Sequence, residues 1–381
     1  KLSAAVGDQS YVDTRSVEFG LREFTHRGTQ FAINGKTLFL RGKHDACVFP
    51  FTGYAPMDTE SWIRVFQIAK SYGINHYRFH SWCPPEAAFT AADQEGIYLQ
   101  PELANFGTRF GDTPESVTYN REEGYRILRQ FGNHPSFVMF ALGNEISGDR
   151  KIRGDMVREF RQFDSRRLYA QGSNYDLGVF RFAEGDDYWT TMRTRAGEVG
   201  AVRGSVAHCD LPLGHIQNRP PSTSYDYTEA IADVPVPVIG HEIGQYQVFP
   251  NFQEIDKYVG VLKPWNLAVF RERLKRKGMS DQADAFFHAS GALSVLCYRE
   301  EIEAALRTKG FGGFQLLDLQ DFPGQGTALV GILDAFMDSK GLIKPETWRQ
   351  FCSETVPLVV MPKYSWMDVE TFNATVKIAH Y

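Results

Sequence analysis

Eight short apolar runs, separated by helical or polar stretches, constrain this chain more than any other feature of its sequence. They occupy residues 38–41, 74–79, 97–103, 137–142, 167–171, 188–192, 237–243 and 311–319. Each is too short for a buried helix and the right length for a buried strand. Helical periods fill several of the gaps. Trp62, Val65, Phe66, Ala69 and Tyr72 keep an i, i+3, i+4 spacing, with Thr59 as the expected N-cap and Gly73 as the stop. Residues 87–95 end at Gly96 and residues 119–131 at Gly132 in the same manner. Strands alternating with helices predict a parallel sheet, and eight is the number that closes a barrel. The expected fold class is therefore α/β, a (β/α)8 TIM barrel. The stretch from Thr194 to Val234 carries little periodicity, and a loop of that length is expected to wall the site.

The two ends read differently. Val17, Phe19 and Leu21 alternate with polar or small residues, which predicts a strand, and Asn34-Gly35 between residues 31–33 and 38–40 predicts a hairpin. At the far end Phe372, Ala374, Val376 and Ile378 alternate with polar residues. Residues 1–25 are thus expected to close an upstream β-sandwich domain, 26–355 to form the barrel, and 356–381 to begin a downstream β domain. Lys1 is not an initiator methionine, so the chain reads as a piece of a longer one.

Lys+Arg 41 against Asp+Glu 46 gives no basic excess, so no nucleic-acid partner is expected. No run approaches the ~20 apolar residues of a membrane helix, so no membrane partner is expected either. Cys47, Cys83, Cys209, Cys297 and Cys352 are scattered, and none forms a C-x-x-C pair, which predicts structural thiols. Neither a G-x-S-x-G elbow nor a phosphate-binding G-x-x-x-x-G-K occurs. The aromatic content, with Phe 29, Tyr 17 and Trp 6, exceeds the needs of a core and suggests a binding surface.

In a barrel of this kind the active site lies at the carboxyl ends of the strands. The fourth run closes with Gly143-Asn144-Glu145, and the seventh with His241-Glu242-Ile243-Gly244. Two carboxylates facing one pocket are the minimum apparatus for cleaving an acetal, one protonating the leaving oxygen and the other capturing the anomeric carbon.

Residues 40–44 (Leu-Arg-Gly-Lys-His), Gly132-Asn133-His134-Pro135-Ser136 and Leu142-Gly143-Asn144-Glu145 resemble the barrel signatures of glycoside hydrolase family 2, which holds β-galactosidases, β-glucuronidases and β-mannosidases. The resemblance runs from about Phe19 to Trp348. It implies that Glu145 is the acid/base, Glu242 the nucleophile, and the mechanism retaining, with β domains before the barrel and often after it. Glu145 should then have a pKa raised from ~4.3 toward ~6–7, and Glu242 should stay ionised beside a donor, for which Arg78 is the first candidate. Asn144 is expected on the sugar 2-hydroxyl. Strand-end position makes His44, Asp45, His80, Trp82 and Glu102 candidates for substrate contact. His241 and Tyr246 flank the nucleophile, with Tyr246 a candidate donor to it, and Trp189 and Trp265 are candidate sugar platforms.

Three departures bear on the substrate. The strand-two motif is shifted to Arg78-Phe-His80-Ser-Trp82-Cys-Pro84, strand eight lacks the family's Trp, and the carboxylate-reading Asn-x-Lys of glucuronidases appears as Asp338-Ser339-Lys340. An anionic Asp there disfavours a uronic acid, so a neutral sugar such as galactose is expected. The alternatives are a catalytically inactive carbohydrate-binding barrel and a metal-dependent hydrolase using His44, Asp45, His80 and His241. No cofactor or metal is expected. The expected partners are a carbohydrate substrate and the flanking β domains, with a homo-oligomer open, and polysaccharide breakdown points to a periplasmic or secreted setting.

Overall fold

Each of the eight apolar runs overlaps a strand, and the strands follow one another around a ring. The computed structural model describes residues 1–205 and 214–381. The strands are β1 (Leu40–Asp45), β2 (His76–Phe79), β3 (Tyr98–Gln100), β4 (Met139–Ala141), β5 (Leu168–Ala170), β6 (Trp189–Thr191), β7 (Val238–Gly244) and β8 (Gly313–Leu317). Six of them form one parallel sheet in the order β6-β7-β8-β1-β2-β3, and β4 pairs in parallel with β5. Backbone hydrogen bonds join the two pieces. Val138 N donates to Leu99 O at 3.2 Å between β3 and β4, and Asn174 N, just after β5, donates to Thr190 O in β6 at 2.8 Å. The order closes on itself.

Helices α1 (Thr59–Ser71), α2 (Glu86–Glu95), α3 (Pro114–Phe131) and α4 (Arg150–Phe163) follow the first four strands. Helices α5 (Trp265–Arg276) and α6 (Ala283–Arg307) lie between β7 and β8. No helix separates β5 from β6. Helix α1 buries Trp62, Val65, Phe66 and Ala69 against the barrel, as its spacing predicts. Its N-cap is Asp58 rather than Thr59, because the Asp58 carboxylate accepts from the Ser61 amide at 2.8 Å. Helix α3 starts at Pro114, before the expected Tyr119, because Thr113 caps it and proline suits a first helical position. Gly73 takes φ +80° where the chain turns from α1 toward β2, and a Cβ there would stand 1.8 Å from the Cys352 carbonyl oxygen.

The Asn34-Gly35 hairpin is present, joining Gln30–Ile33 to Lys36–Leu38 with both turn residues at positive φ. With Phe24–Arg27 it makes a three-stranded sheet, and β1 proper begins at Leu40, two residues later than expected. Phe24 and Phe31 pack with Val138, Met139, Leu168, Tyr188 and Ile239, plugging the amino end of the barrel. Residues 14–23 carry no strand, contrary to expectation. Val17, Phe19 and Leu21 are exposed and have nothing to bury against. Nearer the start, a separate hairpin joins Leu2–Val6 to Gln9–Asp13. At the other end Thr355–Val360 pairs antiparallel with Thr375–His380, so that strand starts beyond Phe372. Cys47, Cys83, Cys297 and Cys352 are free thiols, whereas Cys209 lies outside the described residues. Among the described residues no helix is long and apolar enough to cross a membrane.

Candidate active site

Both strand-end glutamates sit on left-handed backbone. Glu145 has φ 51° and Glu242 has φ 49°. Each such non-glycine residue costs of order 1–3 kcal/mol and persists only where its surroundings hold it. Gly143 permits the approach to Glu145: at φ +143° its chain passes Asn105 so closely that a Cβ would lie 2.4 Å from the Asn105 carbonyl oxygen.

Arg78, at the end of β2 and fully buried, organises the centre. Its Nε donates to Glu102 Oε1 at 2.7 Å, Nη1 to Glu242 Oε1 at 3.2 Å and Nη2 to Asn144 Oδ1 at 2.5 Å. The same Asn144 oxygen lies 2.9 Å from His241 Nε2, which in turn is 3.4 Å from Glu242 Oε1. Asn144 therefore spends its carbonyl on Arg78 and His241, which orients its amide N–H₂ as the donor left for a ligand. A polar ladder through the barrel supports Arg78. Gln315 bonds His76 and Gln100, Gln100 Nε2 reaches Ser173 Oγ, and Ser173 donates to Glu102 at 2.6 Å. Burial keeps His76 neutral, its pKa pushed down to about 3.

The two glutamates are driven apart electrostatically. Burial, and then the charge of Glu242, push the Glu145 carboxyl above the ordinary carboxylate range, against the opposing pull of Asn174, Arg78 and Arg203. Burial also opposes charge on Glu242, but His241, Arg78, His44 and His80 outweigh it and hold that carboxyl well below the ordinary range. Burial keeps His241 itself neutral, so the full positive charge beside Glu242 belongs to Arg78. One carboxyl thus favours its proton and its neighbour rejects one.

The other expected residues divide. His80 lies near Glu242, with Nε2 at 3.9 Å from Oε1, and its ring packs beside the exposed Phe106. His44 lies beside His80 and meets Phe322 edge-on, while its Nδ1 is 3.1 Å from Asp318 Oδ2. Asp45 turns back to accept from the Cys47 amide, and Trp82 donates to the Asp45 carbonyl while packing on Phe79. Glu102 is fully buried and holds Arg78, Ser81 and Ser173. Tyr246 is not brought to Glu242: its hydroxyl donates to Glu301 at 2.7 Å, because that buried carboxylate also draws in the amides of Gly204 and Gly244. Trp189 is buried in the core against Phe182, and Trp265 stands exposed at the start of α5. Asp338 is ion-paired to Arg64 and Lys257, and Lys340 to Asp321.

Two residues join the site that the strand-end search did not single out. Asn174, after β5, donates to Glu145 Oε1 at 3.2 Å. Arg203, buried on the expected loop wall, contacts Met192 Sδ and the His241 carbonyl. The polar pair Ser173-Asn174 after an apolar run was the available signal for the first. Residues 206–213 of that wall lie outside the described residues. Among the described residues no group of three or more His, Cys, Asp or Glu side chains could hold a metal ion.

Residues 24–180 match the family model described as glycosyl hydrolases family 2, TIM barrel domain. Over that stretch the chain is similar to glycoside hydrolase family 2. A β-galactosidase of Priestia megaterium is 26% identical to this chain over 205 residues, covering 50% of the chain and 19% of that protein. Among solved structures, the β-glucuronidase of Parabacteroides merdae superposes with a TM-score of 0.60 at 15% identity, covering 94% of this chain and 44% of that one. A family 2 β-galacturonidase of Eisenbergiella tayi, bound to galacturonate, gives 0.59 at 16% identity, covering 88% and 54%. At these identities the solved structures establish the fold alone. The chain spans about a fifth of the length of the curated relative it matches and about half that of the solved ones.

Proposed function

We propose that this barrel is the catalytic portion of a retaining family 2 β-glycoside hydrolase. Glu145 is the acid/base and Glu242 the nucleophile. The observation that carries this reading is the opposed electrostatics of the two glutamates around Arg78 and Asn144. In the first step Glu145 gives its proton to the glycosidic oxygen as that bond breaks, and Glu242 closes on the anomeric carbon to form a glycosyl ester. In the second, Glu145 takes a proton from water, which displaces Glu242. Arg78 keeps Glu242 ionised and aimed. Asn144 donates to the sugar 2-hydroxyl, a bond that strengthens as the ring flattens in the transition state.

The sugar cleaved is β-linked and neutral, with galactose the leading choice. Asp338 is anionic, and the charge of Lys340 is already taken by buried Asp321, so that segment offers no spare cation to a uronate. Phe106 and Phe322, beside His80 and His44, serve as the aromatic walls in place of the missing tryptophan. The exposed apolar side chains of the Leu2–Val6 hairpin and of the Thr375–His380 strand suit adjoining β domains over residues 1–25 and 356–381, with the barrel between them. Proton NMR of 4-nitrophenyl β-galactoside hydrolysis tests the reading: the β-anomer must appear first, and an initial α-anomer overturns it.

A further inference from the structure

A cavity of about 370 Å³ opens between α4 and the segment joining β5 to β6. It lies at the carboxyl end of β5, on the Glu145 side of the barrel. Asn174, which holds Glu145, belongs to the same segment, and Asp176 two residues on ties that segment to Arg150 and Arg153 of α4. Arg150, Lys151, Arg158 and Arg181 line the cavity. Their charge is not balanced locally. Asp176 is shared between Arg150 and Arg153, and Asp155 between Lys151 and Arg158, so each carboxylate leaves one cation in excess. Arg181 makes no ion pair among the described residues, and Glu184, on the same wall, is exposed.

The floor is built as well as charged. Gln171, only 3% exposed, directly follows β5 and lines the cavity, and its Oε1 has no hydrogen-bond partner. Arg150 Nη2 is likewise buried and unpartnered. Leaving such groups unsatisfied costs about 1–3 kcal/mol each, a cost that a ligand removes by supplying a hydroxyl to the one and an anionic oxygen to the other. Arginine forks suit carboxylate and sulfate alike.

We propose that this cavity is a subsite for a sugar residue bearing a carboxylate or a sulfate ester, on the leaving-group side of the scissile bond. The placement rests on Glu145 being the acid that protonates the leaving oxygen. The binding chemistry does not. The substrate is then a polysaccharide in which a neutral β-linked sugar precedes an anionic one.

Titration calorimetry of the whole chain with D-galacturonate, D-galactose 6-sulfate and D-galactose tests the inference apart from catalysis. At least one anionic sugar binds about tenfold or more tightly than galactose, and Arg181→Ala reduces that preference to about threefold or less. Gln171→Leu weakens binding of the preferred sugar. Preference for galacturonate alone identifies the carboxylate, and for the 6-sulfate alone the ester. Equal binding of all three sugars, or a preference that survives both substitutions, overturns the inference. Absence of glycoside hydrolysis with the preference intact would instead count against the reading of Glu145 and Glu242.

Discussion

Arg78 donates to Glu242 across 3.2 Å and, among the described residues, gives Glu145 no hydrogen bond. That asymmetry sorts two chemically identical side chains into different roles. The carboxyl beside the guanidinium stays charged. The other, whose hydrogen-bond donor is the neutral amide of Asn174, feels chiefly burial and its neighbour's negative charge.

Arg78→Ala removes the partner of two buried or half-buried carboxylates at once. A broken buried ion pair costs about 3–5 kcal/mol, so urea midpoints fall, and the rate falls with them. Arg78→Lys keeps the charge but cannot span Glu102, Glu242 and Asn144 together. It recovers stability better than turnover. Parallel denaturation and kcat measurements check this, and full recovery of kcat in the lysine variant would refute the bridging role.

Activity needs Glu242 ionised and Glu145 protonated. Because Glu242 titrates well below the ordinary range, the acid limb of kcat/KM lies at low pH, where that carboxylate takes up a proton. The alkaline limb follows Glu145, above the ordinary carboxylate range, as it loses its proton. Glu145→Gln removes the alkaline limb for substrates whose leaving group needs no protonation. Rate profiles on a dinitrophenyl glycoside check this, and a limb unchanged in that variant would assign it elsewhere.

The strands and the glutamate pair were legible in the sequence because both are local signals. Apolar runs of barrel length mark strands wherever they fall, and a polar cluster after such a run marks a strand end. What escaped depends on distant partners. Tyr246 reads as a donor to Glu242 by proximity in sequence, yet Glu301 on α6 captures its hydroxyl. Trp189 reads as a platform because it lies near a strand end, but its ring is buried in the core against Phe182 of the segment joining β5 to β6. Alternation at Val17, Phe19 and Leu21 predicts a strand only where a second surface exists to cover one face.

Glu254 is buried with one unpartnered oxygen, and burial pushes its carboxyl up to about 8. A carboxyl raised in the folded state contributes stability below its unfolded pKa of ~4.5 and loses it as pH rises through the folded value. Wild-type thermal stability therefore falls between about pH 5 and pH 9. Glu254→Gln flattens that fall, with a difference of a few kcal/mol at pH 9 and little at pH 5. Melting curves across that range check the sign, and parallel pH profiles for the two proteins would refute it.

Removing the nucleophile itself, as Glu242→Ala, should cost at least about 10³-fold in kcat, with the fold intact by circular dichroism. A carbohydrate-binding barrel without catalysis would lose nothing, since it would have no turnover to lose.

The most direct measurement is peptide mapping by mass spectrometry after incubation with 2,4-dinitrophenyl 2-deoxy-2-fluoro-β-galactoside, which slows release of a glycosyl ester. If Glu242 is the nucleophile, the fluorosugar is found on the peptide containing it, with Glu145 unmodified. A label on Glu145, or on any other carboxylate, would contradict that assignment.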